Sequence, residues 1–237
     1  MRSRSTGDVN AVSAPATPEK RLSGFSLRAI SAVVMAIPAV AAVYFGPPWF
    51  TVLVISATVV MGWEWSRMCR GDVKWMIAGA IYIAVPSGIL IWLRGDAAPG
   101  MFTIMWLFAV VWSADIGAYL CGRSIGGPKL APRISPKKTW AGFIGGVSCA
   151  TIIAGAVAVY WEEPPTSLAL WGAVVAIASQ AGDLFESAIK RHFDVKDSSS
   201  LIPGHGGVLD RVDALVAGAV AIAILKLTLG RSVMPWL

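Results

Sequence analysis

From Leu27 onward the chain alternates long apolar stretches with short polar ones, and most of the charge sits in the polar ones. A helix that crosses the hydrocarbon of a bilayer needs roughly 20 mostly apolar residues. Seven stretches meet that requirement, at about 28–46, 48–66, 75–93, 101–121, 141–160, 167–190 and 214–230. The pattern predicts an all-α, polytopic integral membrane protein of about seven transmembrane helices. Pro38 and Pro86 fall inside the first and third stretches, where neighbouring helices can satisfy the freed carbonyls, so they should kink those helices and not end them. Residues 1–26 are rich in Ser, Pro, Ala and charge without an apolar run, the composition of a disordered arm. The first apolar run is long enough to span, which argues against a cleaved signal peptide. The expected organisation is therefore an arm over 1–26 and a single transmembrane domain over 27–237, with no internal repeat and no second soluble domain.

Composition strengthens this picture. Hydrophobic residues make up 56% of the chain, charged residues 14%, and the mean hydropathy is +0.65, whereas about a quarter of a soluble domain is charged. The net charge of +6 would suggest nucleic acid in a soluble protein, but here its placement explains it. The loops at 67–74, 122–140 and 191–213 hold most of the Lys and Arg, while the loop at 161–166 is acidic and the face it shares keeps only Arg94 and Arg231. By the positive-inside rule the N-terminus and the three basic loops are cytoplasmic and the C-terminus lies outside. Cys69, Cys121 and Cys149 are odd in number and form no CxxC, so they suggest apolar filler and neither a disulfide nor a zinc site.

Ionisable groups within apolar helices are expensive and are functional candidates by default. Asp115, Asp183 and Glu186 stand out by depth. Asp183, Glu186, Ser187 and Lys190 fall on one helical face; Glu186 serves either the site or an i,i+4 ion pair with Lys190, while Asp183 has no cation at its own spacing. The loop that follows runs through Lys196-Asp197-Ser198-Ser199-Ser200 and Pro203-Gly204-His205-Gly206-Gly207 to Asp210-Arg211-Val212-Asp213 at the start of the seventh helix. Asp210 and Asp213 share a face and could hold one hard cation, and the glycines would let backbone N–H groups close on an anion. A third cluster runs from Asp115 through Gly122-Arg123 to Ser135-Pro136-Lys137-Lys138-Thr139. Ordinary loop charge accounts for Arg123 or Lys129 singly; alternating hydroxyls and lysines in 135–139 point to phosphate. Acidic metal ligands, basic phosphate ligands and glycines at one membrane face suit phosphoryl or nucleotidyl transfer. The sequence has no GxxxxGK[ST], so a Walker-type nucleotide site is excluded.

Ser187-x-x-Lys190-Arg191-x4-Lys196-Asp197 followed by Ile202-Pro203-Gly204-His205-Gly206-Gly207-Val208-Leu209-Asp210-Arg211-Val212-Asp213 resembles the signature of phosphatidate cytidylyltransferases (CDP-diacylglycerol synthases). The resemblance extends upstream through Gln180-x-Gly182-Asp183 and Ser135 to Trp140, over roughly residues 110–215; Ala141 stands where many members have Glu. It implies transfer of CMP from CTP to phosphatidic acid at the cytoplasmic face of a bacterial-type inner membrane, with magnesium and a second, monovalent cation, potassium. It also implies Asp183, Asp210 and Asp213 as metal ligands, and Lys190, Arg191, Lys196 and Arg211 as neutralisers of phosphate charge. Ser135, Lys137, Lys138 and Thr139 would grip the triphosphate or the lipid phosphate, with Asp197, Gly206 and Gly207 beside them, and His205 would contact phosphate or shape the turn. A phosphate monoester is already ionised near neutral pH, so no strong general base is needed. Two other activities fit some of the same features: a CTP-dependent lipid kinase, and an ion-coupled transporter carrying ions on Asp115 and Asp183. Close glycine spacing at Gly142 to Gly146 predicts tight helix packing, within one chain or in a homodimer.

Overall fold

The computed structural model describes residues 24–95, 98–202, 204 and 206–229. Nearly all of the expected arm, and His205, lie outside the described residues. Seven helices follow one another: α1 (Gly24–Phe45), α2 (Trp49–Cys69), α3 (Val73–Arg94), α4 (Ala98–Ser124), α5 (Trp140–Tyr160), α6 (Pro165–His192) and α7 (Leu209–Leu229). Pro38 and Pro86 sit inside α1 and α3 without ending them. Between α2 and α3 the chain turns through Arg70 and Gly71, both at positive φ, and the Asp72 carboxylate caps α3 by accepting from the Lys74 and Trp75 N–H groups.

Small residues set how closely the central helices approach. Gly142, Gly146, Ala150, Ala154 and Ala158 recur every fourth residue of α5 and are all buried, giving a smooth stripe on which another helix can lie. α4 packs on it: a Cβ on Gly146 would stand 2.7 Å from the Ala114 carbonyl oxygen, and one on Gly142 2.8 Å from that of Ala118. The glycine spacing thus serves packing within the chain. Gly182 does the same between α6 and α7, where a Cβ would meet Ala217 and lie 3.1 Å from the Asp213 carbonyl oxygen. The core is α4 residues such as Ile104, Leu107 and Val110 buried against Ala150 and Ala154 of α5, Val175 of α6 and Ile222 of α7.

Outward faces are apolar too. Val52, Ile55, Val59, Ile77, Ile81, Ile152 and Ile177 are each at least 46% exposed, a continuous coat that water does not tolerate and lipid does. Among the described residues, helices α2 to α6 are long and apolar enough to cross a membrane, so the chain is an α-helical membrane protein. The apolar part of α1, Ile30–Phe45, is shorter, and α7 carries Asp210, Arg211, Asp213 and Lys226. One feature differs from expectation: the basic loop after α4 contains an antiparallel hairpin, β1 (Lys129–Ala131) with β2 (Ser135–Thr139). As expected, Asp210 and Asp213 lie in the first turns of α7, which starts at Leu209.

Candidate active site

The C-terminal ends of α4 and α6, the start of α5 and the hairpin enclose a cavity of about 480 Å³, lined among others by Asp115, Tyr119, Arg123, Lys137, Lys138, Thr139, Gln180 and Asp183. β2 runs directly into α5, and Thr139 joins them: its hydroxyl accepts from the Gly142 N–H at 3.1 Å, capping the helix. Lys138 reaches across to Asp183 on α6, Nζ to Oδ2 2.6 Å, with both side chains partly exposed to the cavity. The Ser187 hydroxyl lies 3.4 Å from the other Asp183 oxygen. The Arg191 guanidinium ties the hairpin to α6, donating to the Ile134 carbonyl at 3.3 Å and to the Val195 carbonyl at 2.8 Å.

A second polar centre, behind this cavity, is closed. Lys190 on α6 donates to Asp210 on α7 and lies 3.0 Å from Glu186 Oε1. Neither Glu186 oxygen has a well-aligned donor, so Lys190 serves Glu186 as a charge and Asp210 as a hydrogen-bond partner. Asp210 Oδ2 accepts from the N–H groups of Ser198 and Gly207, each at 2.8 Å. Glu64 of α2, fully buried, accepts from the N–H groups of Val208 and Leu209 at 2.9 and 2.8 Å and from the Ser199 and Ser198 hydroxyls at 2.6 and 3.1 Å. The glycines allow this approach: a Cβ on Gly207 would collide with Ser198 Oγ and Glu64 Oε1, and Gly206 holds φ at 83° with Asp210 Oδ2 2.7 Å from where its Cβ would be.

A sequence model of the cytidylyltransferase family matches residues 72–229, from the cap of α3 through α7. The chain belongs to the cytidylyltransferase family. It is 48% identical over 176 residues to a protein of Brucella suis biovar 1 (strain 1330) named phosphatidate cytidylyltransferase, an alignment covering 72% of this chain and 62% of that protein. Proteins of the same name from Rickettsia bellii (strain RML369-C) and Rickettsia conorii (strain ATCC VR-613 / Malish 7) are 37% and 34% identical, over 85% and 89% of this chain and 90% and 95% of their own lengths. The matched region is thus less than two thirds of the Brucella protein and nearly all of the Rickettsia ones.

The residues marked out by the sequence separate into two groups. Lys137, Lys138, Thr139 and Asp183 line the cavity together with Asp115, and Ser135 lies two residues before Lys137 in β2. Thr139, expected to grip phosphate, is the α5 cap. Lys190, expected to face phosphate, is buried between two carboxylates. The loop glycines receive the protein's own Asp210 and Glu64 where a substrate anion was expected. Arg191 is engaged with two carbonyls; Lys196, Asp197 and Arg211 are exposed at the loop and the start of α7. The expected three-aspartate metal site is not formed: among the described residues no three His, Cys, Asp or Glu side chains stand close enough to hold a metal ion. Asp210 is turned to Lys190 and the loop, Asp183 to the cavity, and Asp213 to the N–H of Ala214. Glu64 is the residue that sequence reasoning missed. It is the one acid in the stretch 48–66, and the rule that marked out Asp115 and Asp183 applies to it equally.

Proposed function

We propose that this cytidylyltransferase transfers CMP from CTP to phosphatidic acid, giving CDP-diacylglycerol and pyrophosphate. The observation that carries the reading is the cavity in which Lys137, Lys138 and Arg123 face Asp115 and Asp183 within a chain of this family. A phosphate oxygen of phosphatidic acid attacks the α-phosphorus of CTP, the new P–O bond forms, and the bond from the α-phosphorus to the bridging oxygen breaks to release pyrophosphate. The lysines and Arg123 offer fixed positive charge where negative charge gathers on the phosphates. No side chain has to remove a proton, because the attacking phosphate is already ionised. The Lys138–Asp183 ion pair holds both side chains at the cavity before substrate arrives, which limits the ordering that binding requires.

Magnesium is the proposed cofactor, and when bound it neutralises triphosphate charge. The three-aspartate cage does not fit it. An ion held chiefly by substrate phosphates needs only one or two carboxylates, and Asp183 and Asp115 are the ones that face the cavity. The proposed topology has seven spans with the N-terminus inside, which puts the hairpin, the 193–208 loop and the cavity on the cytoplasmic side of a bacterial plasma membrane. It is supported by the concentration of Lys and Arg in those loops.

The deciding experiment incubates purified protein with phosphatidic acid and CTP labelled at the α- or γ-phosphorus. Label from the α position in the lipid product is the expected result. Label from the γ position would make the protein a lipid kinase, and no label in lipid would overturn the reading.

A further inference from the structure

We infer that Glu64 is a positioning residue for the reaction: from α2, outside the family-matched region 72–229, its carboxyl group fastens both ends of the signature loop and so sets the start of α7 against α6. The inference rests on the proposed transferase activity.

The geometry is specific. Each oxygen of Glu64 takes one donor from either end of the loop. Oε1 accepts from the Ser199 hydroxyl at 2.6 Å and the Val208 N–H at 2.9 Å, and Oε2 from the Ser198 hydroxyl at 3.1 Å and the Leu209 N–H at 2.8 Å. Residues 198 and 209 are thereby held to one side chain, and between them the chain closes on itself through the Ile202 N–H and the Gly206 carbonyl at 2.8 Å. The Val208 and Leu209 N–H groups are among those that the first turn of a helix leaves without internal partners, and a negative group there is favoured by the helix dipole. Glu64 has no exposed surface and makes only acceptor contacts.

The clamp also communicates with the centre behind the cavity. The Ser198 hydroxyl stands 3.1 Å from Glu64 Oε2 and 2.9 Å from Asp210 Oδ2, and its one hydrogen serves either. Asp210 in turn holds Lys190, which lies two helical turns from Asp183 on α6. A displaced loop therefore moves the α7 end of a chain of contacts that leads to the helix bearing Asp183. Glu64 does not line the cavity, so it acts on the reaction through these groups and not by touching substrate.

The test compares wild type with Glu64→Gln and Ser198→Ala in lipid vesicles, counting activity per folded molecule. Glutamine keeps the shape but can no longer accept at both terminal atoms. Glu64→Gln is expected to lower kcat about 100-fold, the scale of a small misplacement remote from the chemistry. The KM for CTP should change by less than about threefold, as for an interaction that does not bind the ground state. The double variant should lose no more kcat than the worse single one, because the two residues act as a unit. Trypsin should cut after the exposed Lys196 faster in Glu64→Gln than in wild type. A kcat within about twofold of wild type, or a loss that disappears when counted per folded molecule, would overturn the inference. So would an unchanged rate of cutting after Lys196. A wild-type protein that makes no CDP-diacylglycerol would instead defeat the transferase reading, and the trypsin comparison alone would then decide whether Glu64 holds the loop.

Discussion

Replacing Lys190 by Met should strip two buried acids of their shared cation. In the folded protein the Lys190 side chain is 10% exposed, that of Asp210 3% and that of Glu186 not at all. Breaking a buried ion pair by removing one partner typically costs about 3–5 kcal/mol, because the other charge remains in a medium that solvates it poorly. Asp210 keeps two backbone N–H donors, from Ser198 and Gly207, so its share is softened. Glu186 keeps no aligned donor. The lower end, about 3 kcal/mol, is therefore expected for Lys190→Met. The assay is reversible unfolding of the protein in mixed micelles by titration with SDS. Adding Glu186→Gln to Lys190→Met should recover part of the loss, since a neutral amide needs no counter-charge, and non-additivity of this kind is what groups in contact show. A Lys190→Met protein within about 0.5 kcal/mol of wild type, the scatter of an ordinary surface substitution, would refute Lys190 as an internal counter-ion. It would then be free to face substrate, as its place in the signature first implied.

Other measurements bear on the cavity and on orientation. Lys138→Ala removes a charge-assisted partner of the triphosphate and should raise the KM for CTP about tenfold; a loss confined to kcat would place that lysine's contact in the transition state only. Asp183→Asn should raise the magnesium concentration needed for half-maximal rate, whereas Asp210→Asn should lower stability and leave that concentration unchanged; the reverse pattern would restore Asp210 as the metal ligand. Cysteines at the exposed positions Arg133 and Glu162, in a background without Cys69, Cys121 and Cys149, should react with an impermeant reagent from opposite faces of oriented vesicles. Reaction from the same face would sink the seven-span topology.

Helices were legible in the sequence because a membrane demands long apolar runs and leaves little else possible. Every expected stretch coincides with one of α1 to α7. The hairpin was not legible, because Ser135-Pro136-Lys137-Lys138-Thr139 has neither the alternation nor the β-branched content of a strand. It forms because Pro128 and Ile134 find partners in Trp140 and Arg191. The start of α7 was legible: the apolar run begins only at Ala214, but Asp210 favours a helix N-terminus by charge, and residues 210–213 do open the helix. Within the site, the sequence set Asp183 beside Asp210 and Asp213 and placed Lys137 and Lys138 in a separate cluster, whereas Lys138 pairs with Asp183 and Asp210 with Lys190. Spacing along α7 says that Asp210 and Asp213 share a face but not which neighbour each meets. Glu64 and Ser198 are 134 residues apart, a pairing that only the packing of α2 beside α7's first turn creates.

The two uses of acid in this site follow from one constraint. A loop of glycines and serines at a membrane edge carries many backbone N–H groups, and those turned away from water must find acceptors within the protein. Glu64 and Asp210 supply them for Ser198, Gly207, Val208 and Leu209, leaving those donors unavailable to a substrate phosphate. A positively charged side chain must then offset the buried acids, and Lys190 does so. Asp183 and Asp115 have no such duty toward the loop, which is why they can face the cavity. The acids that satisfy N–H groups build the loop, and the ones opening on the lysine-lined cavity carry no such load.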